Sequence, residues 1–187
     1  MLALSSALTG GCAASPSPQI ERWTKDRGGV LAGAPQQRAD RALARLRASG
    51  ALNQSLTVSV LNTRSVAAFC WRSGAVFVTR GLLDLLDDDE LAAAIAHESG
   101  HLLLDGHLPA AAALDGCRRM PGSRVGEEAE MAADLMGREL LRLAGVSEDA
   151  LPRLLGKLAR DPAATAACRN HLSRRIARLN AAAQARH

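Results

Sequence analysis

The run Asp88-Asp89-Glu90-Leu91-Ala92-Ala93-Ala94-Ile95-Ala96-His97-Glu98-Ser99-Gly100-His101-Leu102-Leu103-Leu104 sets three acidic residues ahead of an alanine- and leucine-rich stretch that carries a His-Glu-x-x-His pattern. Acidic residues complement the positive end of a helix, and alanine and leucine are strong helix formers. The run therefore predicts a helix, which Asp105-Gly106 ends. Leu91 to Ala96 and Leu102 to Leu104 make it apolar nearly all round, the mark of a buried helix. Residues four apart on a helix share a face, so His97 and His101 can offer two imidazole nitrogens to one metal ion, with Glu98 beside them. An ionisable trio in such surroundings needs a partner of this kind, because buried charge is costly when unpaired.

Two neutral ligands and an adjacent carboxylate that can take a proton from attacking water are what zinc-dependent hydrolysis requires. Catalytic zinc usually takes three protein ligands and keeps one position open, so a third ligand is expected for the single Zn2+ ion. Glu130 is the stronger candidate. It lies in Glu127-Glu128-Ala129-Glu130-Met131-Ala132-Ala133-Asp134-Leu135-Met136-Gly137, part of a second long helix read over 123–143 and closed by Gly145. Asp134, one turn on, shares its face and could accept the other ring N–H of a ligating histidine. Gly100 and Gly137 would let the two helices approach closely, a reason to accept glycine's cost of about 1 kcal/mol inside a helix. The competing ligand is His107, at the spacing of a metzincin-like peptidase, but Leu104 stands where that pattern places its bending glycine.

Strand signals precede the first helix. Residues 56–61 alternate with period two, and 74–79 are β-rich after a turn at Arg72-Ser73-Gly74. Residues 38–48 and 82–86 read as short helices, Ser147 as the cap of a helical segment reaching Arg160, and 173–185 as the last helix.

The start, Met1 to Cys12, is a short apolar stretch ending in Leu8-Thr9-Gly10-Gly11-Cys12, followed by Ala-, Ser- and Pro-rich sequence. It resembles a bacterial lipoprotein signal, in which cleavage leaves the cysteine lipidated; no basic residue precedes the apolar run, and Thr9 stands at the usual leucine position. The expected organisation is thus a signal over 1–12, a tether over 13–36 and a zinc metallopeptidase domain over 37–187. The expected location is the bacterial cell envelope, facing the periplasm, with membrane contact only through lipid on Cys12. Of the remaining cysteines, Cys117, in a Gly- and Pro-rich loop, and Cys168, just before the last helix, are the expected pair, while Cys70 reads as a small buried hydrophobe.

At 187 residues, with 48% hydrophobic and 22% charged, the chain has the length of one globular domain. Its net charge is +4. The arginines near the C-terminus lack the interleaved aromatics of a nucleic-acid surface, so no nucleic-acid partner is expected.

The sequence resembles the HtpX-like and CAAX-prenyl-protease-like zinc endopeptidases, a gluzincin group that includes Oma-type and soluble periplasmic members. The resemblance covers about residues 56 to 145 and rests on Ala68-Phe69, on Gly74-Ala75-Val76-Phe77-Val78-Thr79-Arg80-Gly81-Leu82-Leu83, on His97-Glu98-Ser99-Gly100-His101, and on Glu130-x-x-x-Asp134-x-x-Gly137. It implies an α+β, zincin-like fold, mostly helical, with a small β-sheet packed on the metal-binding helix. It implies zinc ligands His97, His101 and Glu130, general base Glu98, supporting carboxylate Asp134, and an edge strand at Gly74, Ala75 and Val76 that pairs with a protein or peptide substrate. The span from His101 to Glu130 is short for that family. The family's His-Pro pair is represented only by His171, without the proline.

The expected function is hydrolysis of peptide bonds in cell-envelope proteins by a zinc metalloendopeptidase. The alternatives are a non-proteolytic zinc-binding lipoprotein with a chaperone or structural role, or a metzincin-like peptidase using His107. The developing oxyanion needs a positive or hydrogen-bonding group besides the metal. With no tyrosine in the chain, His171, His107 and Arg175 are the candidates, and His171 is preferred.

Overall fold

The computed structural model describes residues 18–48, 50–52, 54–71, 73–104, 111–114 (as backbone only) and 126–185. In chain order these form α1 (Pro18–Lys25), α2 (Ala34–Arg47), β1 (Thr57–Leu61), β2 (Ala68–Trp71), β3 (Ala75–Thr79), α3 (Arg80–Leu85), α4 (Asp88–Leu104), β4 (Ala111–Leu114), α5 (Glu127–Leu143), α6 (Ala150–Ala159) and α7 (Ala166–Gln184). The arrangement is the α+β, zincin-like one expected, mostly helical with a small mixed sheet against α4.

The sheet runs β1-β3-β2-β4, with β1 parallel to β3 and the other pairings antiparallel. Side chains of a strand alternate between faces. Val58, Val60, Ala68, Cys70, Val76 and Val78 therefore join the main core with α2, α4 and the later helices. Phe69, Phe77, Trp71 and Ala75 face the other way, where α1 lays Ile20 and Trp23 over them. The Trp23 ring centroid is 5.3 Å from that of Phe69, 5.6 Å from Trp71 and 5.2 Å from Phe77. The chain has two tryptophans, two phenylalanines and no tyrosine, so all of its Phe, Trp and Tyr side chains meet in this one cluster.

That cluster corrects the expected tether. Residues 18–36 hold α1 and the start of α2. An eight-residue helix is marginal alone; it persists here because Ile20 and Trp23 bury against the sheet and the Arg27 guanidinium lies 4.0 Å over the Trp23 ring. The chain then returns along the outer edge of β1, where Leu31 N–H donates to Val60 C=O at 2.7 Å.

A second correction concerns Gly74, Ala75 and Val76. Their strand is not an edge: β3 is paired on both sides, with β1 and with β2. A third concerns the last helix, which starts at Ala166, where the Thr165 hydroxyl accepts Cys168 N–H. His171 therefore lies within a helix and not in a loop before it. Cys168 is disulfide-bonded; its expected partner, Cys117, lies outside the described residues.

α4 runs through the centre of the molecule, buried from Glu90 to His101. Its start is fixed by a reciprocal pair: Glu90 N–H donates to Asp87 Oδ1 at 2.8 Å, and Asp87 N–H donates to Glu90 Oε2 at 2.9 Å. Lys157 of α6 adds an ammonium 2.5 Å from the same Oε2.

Candidate metal centre

α4 and α5 cross with almost no space between their backbones. A Cβ at Gly100 would lie 2.7 Å from Ala133 O, and one at Gly137 would lie 3.0 Å from His97 Cα. Each contact is flanked by the residues that matter. Gly100 sits between His97 and His101, and Ala133 sits between Glu130 and Asp134. The absent side chains thus set how near the two pairs come.

The result is a cluster of His97, His101 and Glu130 with one candidate ligand atom each, all within 4.8 Å of one another. His97 Nε2 is 3.4 Å from Glu130 Oε2, and His101 Nε2 is 3.5 Å from Glu130 Oε1. Both Nε2 atoms are buried and make no hydrogen bond among the described residues. The edge of a tetrahedron of ligands with metal bonds of about 2.0–2.1 Å is about 3.3–3.4 Å. Two orphaned imidazole nitrogens and a carboxylate at that spacing fit a zinc ion, with a fourth position left over.

Asp134 fixes which nitrogen of His97 faces the cluster. Its Oδ1 is 2.9 Å from His97 Nδ1, so that nitrogen carries the proton and donates, leaving the Nε2 lone pair for a metal. Arg175 reaches in from α7. Its Nε donates to Asp134 Oδ2 at 2.7 Å, Nη2 to Oδ1 at 2.6 Å, and Nη1 lies 2.9 Å from Glu130 Oε2. The 3.4 Å approach of Nη2 to His97 Nδ1 is two donors converging on one oxygen.

These contacts set the charges. Burial disfavours an ionised Glu130, but His101 and His97 and then Arg175 outweigh it and hold the carboxyl well below the usual range. Asp134 is treated alike: burial raises its pKa, and Arg175 and His97 bring it below the ordinary value. Burial alone would lower the pKa of His97; Asp134 and Glu130 reverse that and push it up to about 9 in the metal-free chain. Glu98 is fully buried, and burial pushes its carboxyl up against the opposing pull of His97, His101 and a hydrogen bond from the Cys70 thiol. A carboxyl raised in this way is a stronger base than an ordinary carboxylate.

The structure thus brings His97, Glu98, His101, Glu130 and Asp134 to one place. His171 stands one turn before Arg175 on α7, half-buried. Burial and the Arg175 charge lower its pKa against the pull of Glu130 and Glu127. Gly74, Ala75 and Val76 belong to the inner strand and its turn; Cys12 and His107 lie outside the described residues. Two contributors were not assigned their roles from sequence. From sequence Arg175 is an oxyanion candidate, whereas in the structure it grips the carboxylates, and Cys70 is a packing residue that in the structure also touches Glu98. For Arg175 a signal existed: Cys168, Leu172, Arg175 and Leu179 form the buried seam of α7, and an arginine on an apolar seam needs a buried anion.

Residues 34–120 match the model of a family described as Peptidase family M48. The chain is also 28% identical over 134 residues to "Metalloprotease LoiP" of Escherichia coli (strain K12), covering 57% of this chain and 53% of that protein. It thus spans about half the length of that relative. Both matches include the α4 segment that carries His97, Glu98 and His101, and both are likenesses to metal-dependent peptidases.

Proposed function

We propose that the chain is a zinc-dependent metalloendopeptidase that cleaves peptide bonds in cell-envelope proteins. The observation that carries the reading is the triad of His97, His101 and Glu130 with a buried carboxyl, Glu98, beside it. A zinc ion held by those three residues would polarise the scissile carbonyl and make water more acidic. Glu98 takes the proton of the attacking water on its carboxylate and returns it to the departing amine nitrogen. Asp134 keeps the proton of His97 on Nδ1 throughout, so that Nε2 stays a ligand. His171, one turn from Arg175, is the group proposed to donate to the negative oxygen that develops on the carbonyl.

A substrate that pairs with the sheet must use an open edge. β3 has none, and residues 29–31 and Gln36 occupy the outer side of β1 through bonds to Val58, Val60 and Asn62. Among the described residues this leaves β4, a strand in contact with α4. Tethering by lipid at Cys12 and the finer likeness to HtpX-like enzymes belong to the same proposal; the first rests on the lipoprotein-like start, the second on the motifs around α4 and α5. No described helix is long and apolar enough to cross a membrane.

The test is zinc content and casein cleavage of wild type, Glu98→Gln and Glu130→Ala. Glu98→Gln is expected to keep its zinc and lose about 10²–10⁴-fold in cleavage rate, and Glu130→Ala to lose zinc. Equal cleavage by wild type and Glu98→Gln would refute the reading.

A further inference from the structure

We infer that Arg175 is a positioning residue of the metal centre, holding Glu130 by one oxygen and Asp134 by both so that each carboxylate presents its working atom to the histidines of α4. The inference rests on the metallopeptidase reading and goes beyond it by assigning α7 a part in zinc binding.

Three of the five guanidinium donors are spent on these two carboxylates. With Nη1 on Glu130 Oε2, rotation of the Glu130 side chain is checked, and Oε1 is left facing His101 Nε2 at 3.5 Å. The paired bonds to Asp134 fix the plane of that carboxylate. Its Oδ1 then lies where His97 Nδ1–H can donate to it, and the ring is held with Nε2 towards Glu130 and His101. One planar fork therefore orients a ligand directly and a second ligand through Asp134.

Charge leads to the same residue. When Glu98, Glu130 and Asp134 are all ionised, three buried negative charges face one buried positive charge, Arg175. A divalent cation brings the sum to zero. Without Arg175 the same cation leaves one negative charge uncompensated, at a cost that buried sites bear poorly. A lysine would keep the charge but not the geometry, because an ammonium cannot bond Asp134 twice in a plane while reaching Glu130.

The experiment measures zinc affinity by competition with a chromophoric chelator, and the visible absorption of the cobalt(II)-loaded protein. Wild type, Arg175→Lys, Arg175→Gln and Arg174→Ala are compared as full chains whose folding is checked by circular dichroism. Arg174 pairs with exposed Glu127 and controls for α7 docking and general positive charge. Loss of about 10–100-fold in zinc affinity, with a changed cobalt spectrum, is expected in whichever Arg175 variant folds; Arg174→Ala should match wild type. An Arg175 variant with wild-type affinity and an unaltered spectrum overturns the inference, as does an equal loss in Arg174→Ala. Wild type that fails to bind zinc overturns the metallopeptidase reading as well, whereas wild type that binds beside unaffected Arg175 variants leaves that reading standing.

Discussion

Substituting Gly100 by alanine tests whether the distance between α4 and α5 sets the metal centre. The new Cβ would meet Ala133 O at 2.7 Å, Ala133 Cα at 3.2 Å and Ala133 C at 3.3 Å. Relaxed contacts to carbon lie at about 3.5–4.0 Å, so α5 must withdraw by roughly 0.5–1 Å at Ala133. The atoms met are backbone and cannot rotate aside. Withdrawal carries Glu130 and Asp134 with it, whereas ligand distances in a metal site hold within about 0.2 Å. Zinc affinity should fall about 10–100-fold, as when the support of a ligand is misplaced. The metal-free protein loses less: overpacking costs about 1–3 kcal/mol, and alanine returns about 1 kcal/mol of helix propensity. Chelator competition and thermal denaturation of the metal-free chain separate the two effects. Wild-type zinc affinity together with a raised Tm would show that the helices are not in contact at Gly100 and would refute the reasoning.

In the metal-free chain His97, at about 9, lies above its unfolded value of about 6.5. Its contribution, about 3 kcal/mol by that difference, is whole below about pH 6.5 and lost as pH rises through about 9. Urea denaturation after chelation should show stability falling across that window, and a flat profile would count against the His97–Asp134–Glu130 coupling. Glu90→Ala removes a capping acceptor and leaves Lys157 without its buried carboxylate. It should cost about 3 kcal/mol in equilibrium unfolding, with zinc affinity unchanged. Trp23→Ala undoes the aromatic cluster and, because Trp23 is only half-buried, should cost at or below the lower end of the about 3–5 kcal/mol typical of a core aromatic. Because Trp71 is the other tryptophan and is also in the cluster, fluorescence of the variant reports the same site, and an unchanged denaturation midpoint would argue against docking of α1.

The metal helix was legible because its signals are local: a cap, an apolar run and two histidines one turn apart. Glu130 and Asp134 were legible for the same reason, since a pair at helical spacing among alanines and methionines has few other uses. The order of the strands was not, because pairing is a long-range choice. Even so, residues 75–79 carry a hint. Apolar side chains run on without alternation, and β3 is buried from Val76 to Thr79; a strand covered on both faces is more often inner than edge. α1 is not legible in its own eight residues, because its stability comes from the sheet it touches.

The atoms of the centre are divided among three helices, and the division follows from charge. α4 is apolar enough to fill the middle of the core, and there it can carry two imidazoles, neutral as ligands, at modest cost. The carboxylates come from α5, which must bury Glu130 and Asp134 against α4 to reach those rings. Buried anions at such separation repel each other and lose hydration, so the fold has to supply a cation. Arg175 on α7 is that cation, and its side chain is 4% exposed. The helix pair that holds the ligands is therefore electrostatically incomplete until the last helix of the described chain has packed against it. On the zinc reading, α7 must be docked for a divalent cation held by His97, His101 and Glu130 to leave the buried charges balanced.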